Sequence, residues 1–242
     1  MIEFISPQWQ APPGIRAACS TRLGGVSKAP YDELNLGQHV RDRIADVTLN
    51  RQRLRQGLDL PAEPGWINQT HSSHVVTLEQ DDNRNADAAI TRQPGCVAVV
   101  MTADCLPILL CNRAGSEVAA IHAGWRGLQG GVVQATIGAM QSPPHQLMAW
   151  IGPAISQACY EVGAEVFAAF TGEVAGAESC FQASRPGHWL CDLGGLAAMV
   201  LQRNGIDDVM RSPHCSFRDA ELFYSYRREP VTGRMASLIW IN

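Results

Sequence analysis

Residues 101–127, MTADCLPILLCNRAGSEVAAIHAGWRG, decide the fold, because they set a cysteine and a histidine at the ends of two apolar runs. Ile108-Leu109-Leu110-Cys111 and Val118-Ala119-Ala120-Ile121 are short and apolar, and the turn-forming Asn112-Arg113-Ala114-Gly115 separates them. This is the pattern of two buried strands joined as a hairpin. Pairing them brings Cys105 and His122 to the same end of one sheet. Pro107 and Gly124 follow these residues and are expected to stop the strands, leaving both side chains where the backbone turns toward solvent.

Outward from the hairpin, CVAVVMT (96–102) is β-branched, apolar and too short for a helix, so it is expected to be a central strand. IRAACST (15–21), ADAAIT (86–91), LMAWIG (147–152) and MASLIWI (235–241) also read as strands, and WINQTHSSHVVTL (66–78) as strand at both ends with a polar centre. Asp46 is a plausible N-cap for a helix that puts Val47, Leu54 and Leu58 on one face and three arginines outward, closed by Gly57 and Pro61. Further helices are expected from Gly131 to Met140 and from Glu161 to Phe170. The clearest one starts at Asp192, with Leu193, Leu196, Ala197, Val200 and Leu201 at helical spacing and Asn204-Gly205 as its stop. Alternating helices and strands, with some strands hairpin-linked, predict an α/β fold: one domain over 1–242 with mixed β-sheets flanked by helices.

The chain has 242 residues, 46% of them hydrophobic, with no linker-like stretch to divide it. A net charge of -4 with interspersed signs leaves no footprint for nucleic acid or an anionic membrane. No run is long enough to cross a membrane and the N-terminus has no signal-peptide pattern, so a cytoplasmic protein is expected. The eight cysteines are then expected to be reduced, mostly as small core residues, with Cys105 the exception. Neither a dinucleotide-binding glycine fingerprint nor a phosphate-binding P-loop is present.

One cysteine and two histidines are a sufficient ligand set for zinc that leaves a fourth position open. Cys105 and His122 are joined by the hairpin. His71 is the third candidate, but it comes from the separate polar loop of 66–78, where spacing alone does not bring it near, a lone histidine is usually a surface residue, and His74 is equally eligible.

The blocks STRLGGVS, PYDELNLG, NQTHSSHV, MTADCLPILLCN, AAIHAGWRG, WIGPAI, YEVGAEVF and FYSYRREPVTGRMASLIW together resemble the bacterial YfiH family, also called the multicopper polyphenol oxidase or laccase family. Its human relative is the laccase domain-containing protein. The resemblance covers nearly the whole chain and implies a YfiH-like fold. It also implies that the histidine of the Gln-x-His block, the cysteine of TADC and the histidine of HAGWRG bind the metal, which here are His71, Cys105 and His122.

Around these ligands, Arg126 is a candidate to hold phosphate or ribose, the alternative being a surface ion pair. Arg22 and Asn35 match the family's STR and NLG blocks and are candidate substrate contacts, although turn chemistry would also account for Asn35 beside Gly37. Asp104 either relays protons and supports a metal-bound histidine or caps its turn. Tyr226 and Arg227 are candidates for the pocket wall and a substrate contact, with a structural ion pair as the other reading. His39, His145, His188 and His214 carry no assignment.

The resemblance implies a zinc-dependent purine nucleoside phosphorylase, acting on adenosine, inosine, guanosine and methylthioadenosine with phosphate, together with adenosine deamination. A metal that lowers the pKa of water would supply the nucleophile for the second reaction. The H-x-E and P-C-x-x-C pattern of the common zinc deaminases is absent. The alternatives are a cysteine- or zinc-dependent amide hydrolase editing peptidoglycan precursors, and a copper polyphenol oxidase. Seven histidines without a His-x-His pair make copper the poorer fit. A structural zinc module is a third reading, disfavoured because no fourth cysteine or histidine lies at finger-like spacing.

Overall fold

In chain order the computed structural model, which describes residues 2–242, runs β1 (Phe4–Ile5), β2 (Ile15–Ser20), α1 (Ile44–Gly57), β3 (Val75–Thr77), β4 (Ala88–Thr91), β5 (Val97–Thr102), β6 (Leu106–Asn112), β7 (Val118–Ala123) and α2 (Trp125–Gln129). It continues through α3 (Val132–Ala139), β8 (Leu147–Ile151), β9 (Glu161–Gly163), α4 (Ala164–Thr171), β10 (Phe181–Ala183), β11 (His188–Cys191), α5 (Leu193–Arg203), β12 (Asp208–Arg211) and β13 (Met235–Ile241). The hairpin forms as its spacing predicts: β6 and β7 pair antiparallel with Pro107 opposite His122 and Cys111 opposite Val118. They are the middle of a six-stranded sheet of order β12-β8-β6-β7-β4-β3, antiparallel at its centre and parallel at both edge pairs. A second sheet, β1-β2-β13-β5, is antiparallel throughout, and β10-β11-β9 form a small third one.

Side-chain alternation explains how the layers stack. Leu106, Ile108 and Leu110 of β6, with Ala119 and Ile121 of β7, face Leu128, Val132, Val133, Val166, Leu196 and Val200 on the helices. The intervening Leu109, Cys111, Val118 and Ala120 face the other way, against Ala98, Val100, Met235 and Ile239 of the second sheet. The outer face of that sheet, Val97, Val99, Ala236, Leu238 and Trp240, is covered by Leu54 of α1 and by Leu34 and Leu36. The result is four layers, helix, sheet, sheet, helix, and every residue of β5, β6, β7 and β13 is buried.

The fold departs from the sequence expectations at definite places. β5 is an edge strand of its sheet, not a central one. Its unbroken apolar run reflects burial on both faces between layers, which periodicity cannot distinguish from pairing on both sides. Pro107 lies inside β6 as its second residue, where a missing N–H is tolerated, and it accepts from Gly152 N at 2.8 Å. The first half of 66–78 makes no strand; only Val75–Thr77 does. Residues 161–163 are strand β9, paired with β11, so the expected helix begins only at Ala164. Helix α1 starts two residues before Asp46 with Arg43 as its N-cap. Of its arginines Arg51 turns inward, stacking over Trp66 at 3.8 Å and donating to Leu36 O. Asp192 does cap α5, accepting from Gly195 N at 2.9 Å. No helix among the described residues is long and apolar enough to cross a membrane.

Candidate metal centre

Strand β5 belongs to one sheet and β6 to the other, so residues 103–105 are the step between them and carry Cys105 to the open end of the sandwich. His122 is the second-last residue of β7 and has the parity of Val118 and Ala120, so its imidazole points into the same space between the sheets. His71 arrives from the loop before β3, and two side chains hold that loop in place. Gln69 behaves as a strand partner for the end of β5, its amide donating to Met101 O and accepting from Met101 N, both at 2.7 Å.

Asp87 is the second anchor. Fully buried ahead of β4, its carboxylate accepts from the backbone N–H groups of Thr70, His71 and Ser72 at 3.1, 3.0 and 2.6 Å and from the Ser72 hydroxyl at 2.7 Å. It also meets His122 Nδ1 at 2.8 Å. With Nδ1–H donated to Asp87, the Nε2 lone pair of His122 is turned toward Cys105 and His71.

Among the described residues, His71, Cys105 and His122 form a possible metal-binding group, their donor atoms all within 4.8 Å of one another. His71 Nε2 lies 3.9 Å from Cys105 Sγ, and the two imidazoles stand edge to face at 78°. A tetrahedral ion with N and S ligands needs donor separations of roughly 3.5 Å, so a slight closure would seat one. His74 is outside the group; its backbone carbonyl ties Asp87 and Ala88 instead.

Gly124 explains why the turn after His122 carries no side chain. A Cβ there would stand 3.0 Å from both Cys105 Sγ and His71 Cδ2. Gly124→Ala is expected to force the ligands apart and weaken metal retention by about tenfold or more, while leaving the buried β6–β7 hairpin intact. Metal content after dialysis against a graded chelator would read the change; retention equal to wild type would show that the turn gives way instead.

The electrostatics suit a cation. Burial pushes the Cys105 thiol up, but hydrogen bonds and charge from His122 and His71 outweigh it and bring the thiol down to about 6. For His122 burial favours the neutral ring, yet Asp87 and Cys105 raise its pKa to about 9. Asp87 is likewise pushed up by burial and held well below the usual carboxylate range by His122 and Ser72. A bound cation would replace the protons that the thiolate and imidazoles otherwise compete for.

The trio opens into a cleft of about 520 Å³ lined also by Trp125, Arg126, Tyr160, Tyr226, Arg227 and Arg234. Arg126 rides over the Trp125 ring at 4.4 Å, and Arg227 over the Tyr160 ring at 5.0 Å. Thr102 also lines the cleft, and its buried hydroxyl has no hydrogen-bond partner. Asp104 has both carboxylate oxygens taken, by the Ser216 hydroxyl at 2.6 Å and by Arg227 N at 2.7 Å. His71 and Asp104 are non-glycine residues at φ 60° and 91°, a strained region in which functional residues are enriched.

Arg22 and Asn35 do not line the cleft. Arg22 donates to Asp32 O and Ala220 O and lies over Tyr224, tying loops together. Asn35, wholly buried, bonds Gly37 and Asp42 and accepts from Arg234 N at 3.0 Å, so it sets the backbone of a cleft arginine. Asp87, Tyr160, Arg234 and His39 are candidate site residues that sequence reasoning did not single out, and Gln69 entered it only as the marker of the Gln-x-His block. Only Asp87 left a local signal: an acid between alanines in an apolar strand must find partners.

Comparison with known proteins identifies the family. Residues 16–242 match the family model described as multi-copper polyphenol oxidoreductase laccase. The purine nucleoside phosphorylase YfiH of Shigella flexneri is 46% identical over 243 residues, covering 100% of both chains. A Pseudomonas aeruginosa protein named purine nucleoside phosphorylase is 45% identical over the same full coverage. A Neisseria meningitidis crystal structure superposes with a TM-score of 0.95 at 45% identity over 99% of each chain. The YfiH crystal structure of Bacillus licheniformis gives a TM-score of 0.89 at 26% identity, over 94% of this chain and 93% of that one. With the match running the length of the fold, the chain belongs to the multi-copper polyphenol oxidoreductase laccase family, the family of the YfiH proteins.

Proposed function

We propose that the chain is a zinc-dependent purine nucleoside phosphorylase, acting on adenosine, inosine, guanosine and methylthioadenosine, and that it also deaminates adenosine. One observation carries the reading: a three-ligand metal group, arginines without carboxylate partners and aromatic rings converge on a single cleft. The names of the near relatives in Shigella flexneri and Pseudomonas aeruginosa point the same way.

Two nitrogens and a thiolate suit zinc, which when bound would supply a Lewis acid at its open position. Arg126 and Arg227 would hold phosphate, since planar guanidinium groups match its oxygens in pairs. A phosphate oxygen then forms the bond to the anomeric carbon while the glycosidic bond breaks. The bonding electrons leave with the purine, which takes up a proton, giving free base and ribose 1-phosphate. Trp125, Tyr160 and Tyr226 offer ring faces for the base. Asp104, with both oxygens engaged, is better suited to positioning Arg227 than to moving protons.

The lowered Cys105 thiol beside two imidazoles favours one second reading, a metal-free cysteine nucleophile of an amide hydrolase. A copper oxidase would need several copper centres.

Chromatography of zinc-loaded protein with inosine and phosphate, beside an oxygen electrode with a phenolic substrate, separates these readings. Hypoxanthine and ribose 1-phosphate without oxygen uptake is the expected result. Copper-dependent oxygen uptake with no nucleoside turnover would overturn it. Arg126→Ala is expected to raise the KM for phosphate by about tenfold to a hundredfold, the worth of a charged hydrogen bond. Its Tm should stay near that of wild type because the side chain is exposed. Unchanged phosphate kinetics would return Arg126 to the protein surface as an ordinary arginine.

A further inference from the structure

The cleft does not end at Arg234. A second cavity of about 360 Å³ adjoins it, lined by Arg41, Val40, Pro230, Val231 and Thr232, and the two share His39, Tyr226 and Arg234 as common wall. This continuation is cationic. The arginine–carboxylate pairs of the described residues use Arg43, Arg92, Arg113, Arg185, Arg211 and Arg228, and none uses Arg41, Arg126, Arg227 or Arg234. Among the described residues no carboxylate lines the second cavity, and the one lining the first, Asp104, accepts from the Ser216 hydroxyl and the Arg227 backbone N–H. Thr232 is 1% exposed and its hydroxyl has no hydrogen-bond partner, so a donor and acceptor stands unused at the cavity wall. Arg41 holds φ 73°, strained as His71 and Asp104 are in the neighbouring cleft.

Four arginines outside any carboxylate pair, against the single carboxylate of Asp104, leave more positive charge along these two adjoining cavities than a neutral nucleoside and one attacking phosphate call for. Resting on the nucleoside reading of the first cleft, we propose that the second cavity is an anion subsite that takes the phosphate monoester of a nucleoside 5′-phosphate, with Arg41, Arg234 and Thr232 as its contacts. The nucleoside lies in the metal cleft and its 5′ end passes the shared wall of His39, Tyr226 and Arg234. This widens the substrate class from nucleosides to nucleotides without a new reacting group.

Titration calorimetry on the zinc-loaded full chain tests the subsite, with inosine, inosine 5′-monophosphate, ribose 5-phosphate and inorganic phosphate as probes. The nucleotide is expected to bind at least about tenfold more tightly than inosine, the gain of one charged hydrogen-bonded contact. Ribose 5-phosphate is expected to compete with the nucleotide, and inorganic phosphate to compete more weakly. In Arg41→Ala and in Thr232→Val the preference for the nucleotide should shrink to about threefold or less, and a circular dichroism spectrum and Tm will show that each variant is folded. Arg41 is exposed and carries the test if Thr232→Val does not fold. Equal affinity for nucleotide and nucleoside, or a preference that Arg41→Ala leaves unchanged, would overturn the subsite. Inosine phosphorolysis with no nucleotide preference would sink the subsite alone, whereas nucleotide preference without phosphorolysis would sink the proposed reaction and keep the subsite.

Discussion

Cys105→Ala is expected to leave the protein without stoichiometric metal and to reduce inosine phosphorolysis and adenosine deamination to the level of a buffer control. The thiolate is one of the three candidate donors, and its loss leaves two imidazoles from separate segments, of which only the His122 ring is held by a carboxylate. Two neutral nitrogens without the anionic sulfur retain a divalent ion poorly. Folding should be little affected, because Cys105 is half-buried at the end of the sandwich and not in its core. Elemental analysis beside activity decides the matter. A metal-free wild type with full activity, abolished by the same substitution, would identify Cys105 as a nucleophile. Acid should release the metal for the same reason, since protons compete for the thiolate and the imidazoles.

Removing Asp87 is the second large perturbation, although Asp87 does not line the cleft. Its carboxylate meets five donors at 3.1 Å or closer, from two segments, so Asp87→Ala both frees the His71 loop and leaves the His122 Nδ1 proton buried without a partner. Breaking a buried charged pair on one side costs about 3–5 kcal/mol. At a chain length of 242 that lowers Tm by about 10 °C. Losing the carboxylate that orients a ligand histidine should also weaken metal binding by about tenfold to a hundredfold. Denaturation of metal-free protein isolates the first effect, and chelator competition the second. Asp87→Asn, which keeps the volume, serves where the alanine variant does not fold.

The pH profile of the metal-free protein carries a signature of the same pair. The Asp87 carboxyl is held below its unfolded value, so its contribution is complete above about pH 4 and is lost as the pH falls further. His122 is raised to about 9, so its contribution is complete below its unfolded pKa near ~6.5 and is lost as the pH rises toward 9. Cys105, brought down to about 6, acts in the opposite sense over the same range, its contribution growing as the pH rises from about 6 to 9 and offsetting the loss from His122. Metal-free stability should therefore fall on the acid side, below about pH 4, and stay nearly level between about pH 6 and 9, and Asp87→Asn should flatten the acid limb. An unchanged profile in that variant would show that the pair does not govern it.

The sequence by itself determined the elements whose signal is local. The 106–123 hairpin, the Asp192-capped helix and the C-terminal strand follow from periodicity, turn residues and a cap, which act over a few neighbouring residues. The hairpin alone brought Cys105 and His122 together, and resemblance of the Gln-x-His block chose His71 over His74. Tertiary structure decided what distant segments do to one another. Periodicity reports which faces are buried but not which edges are paired, and so β5 read as central although it ends its sheet. A short segment such as 161–163 becomes strand only because β11 is beside it. Asp87 matters through contacts 15 to 35 residues away in the chain, and Arg234 enters the cleft on a backbone held by Asn35, 199 residues earlier. Those partners are fixed by how two sheets stack, and stacking depends on the summed burial of four layers, which no local window of sequence contains.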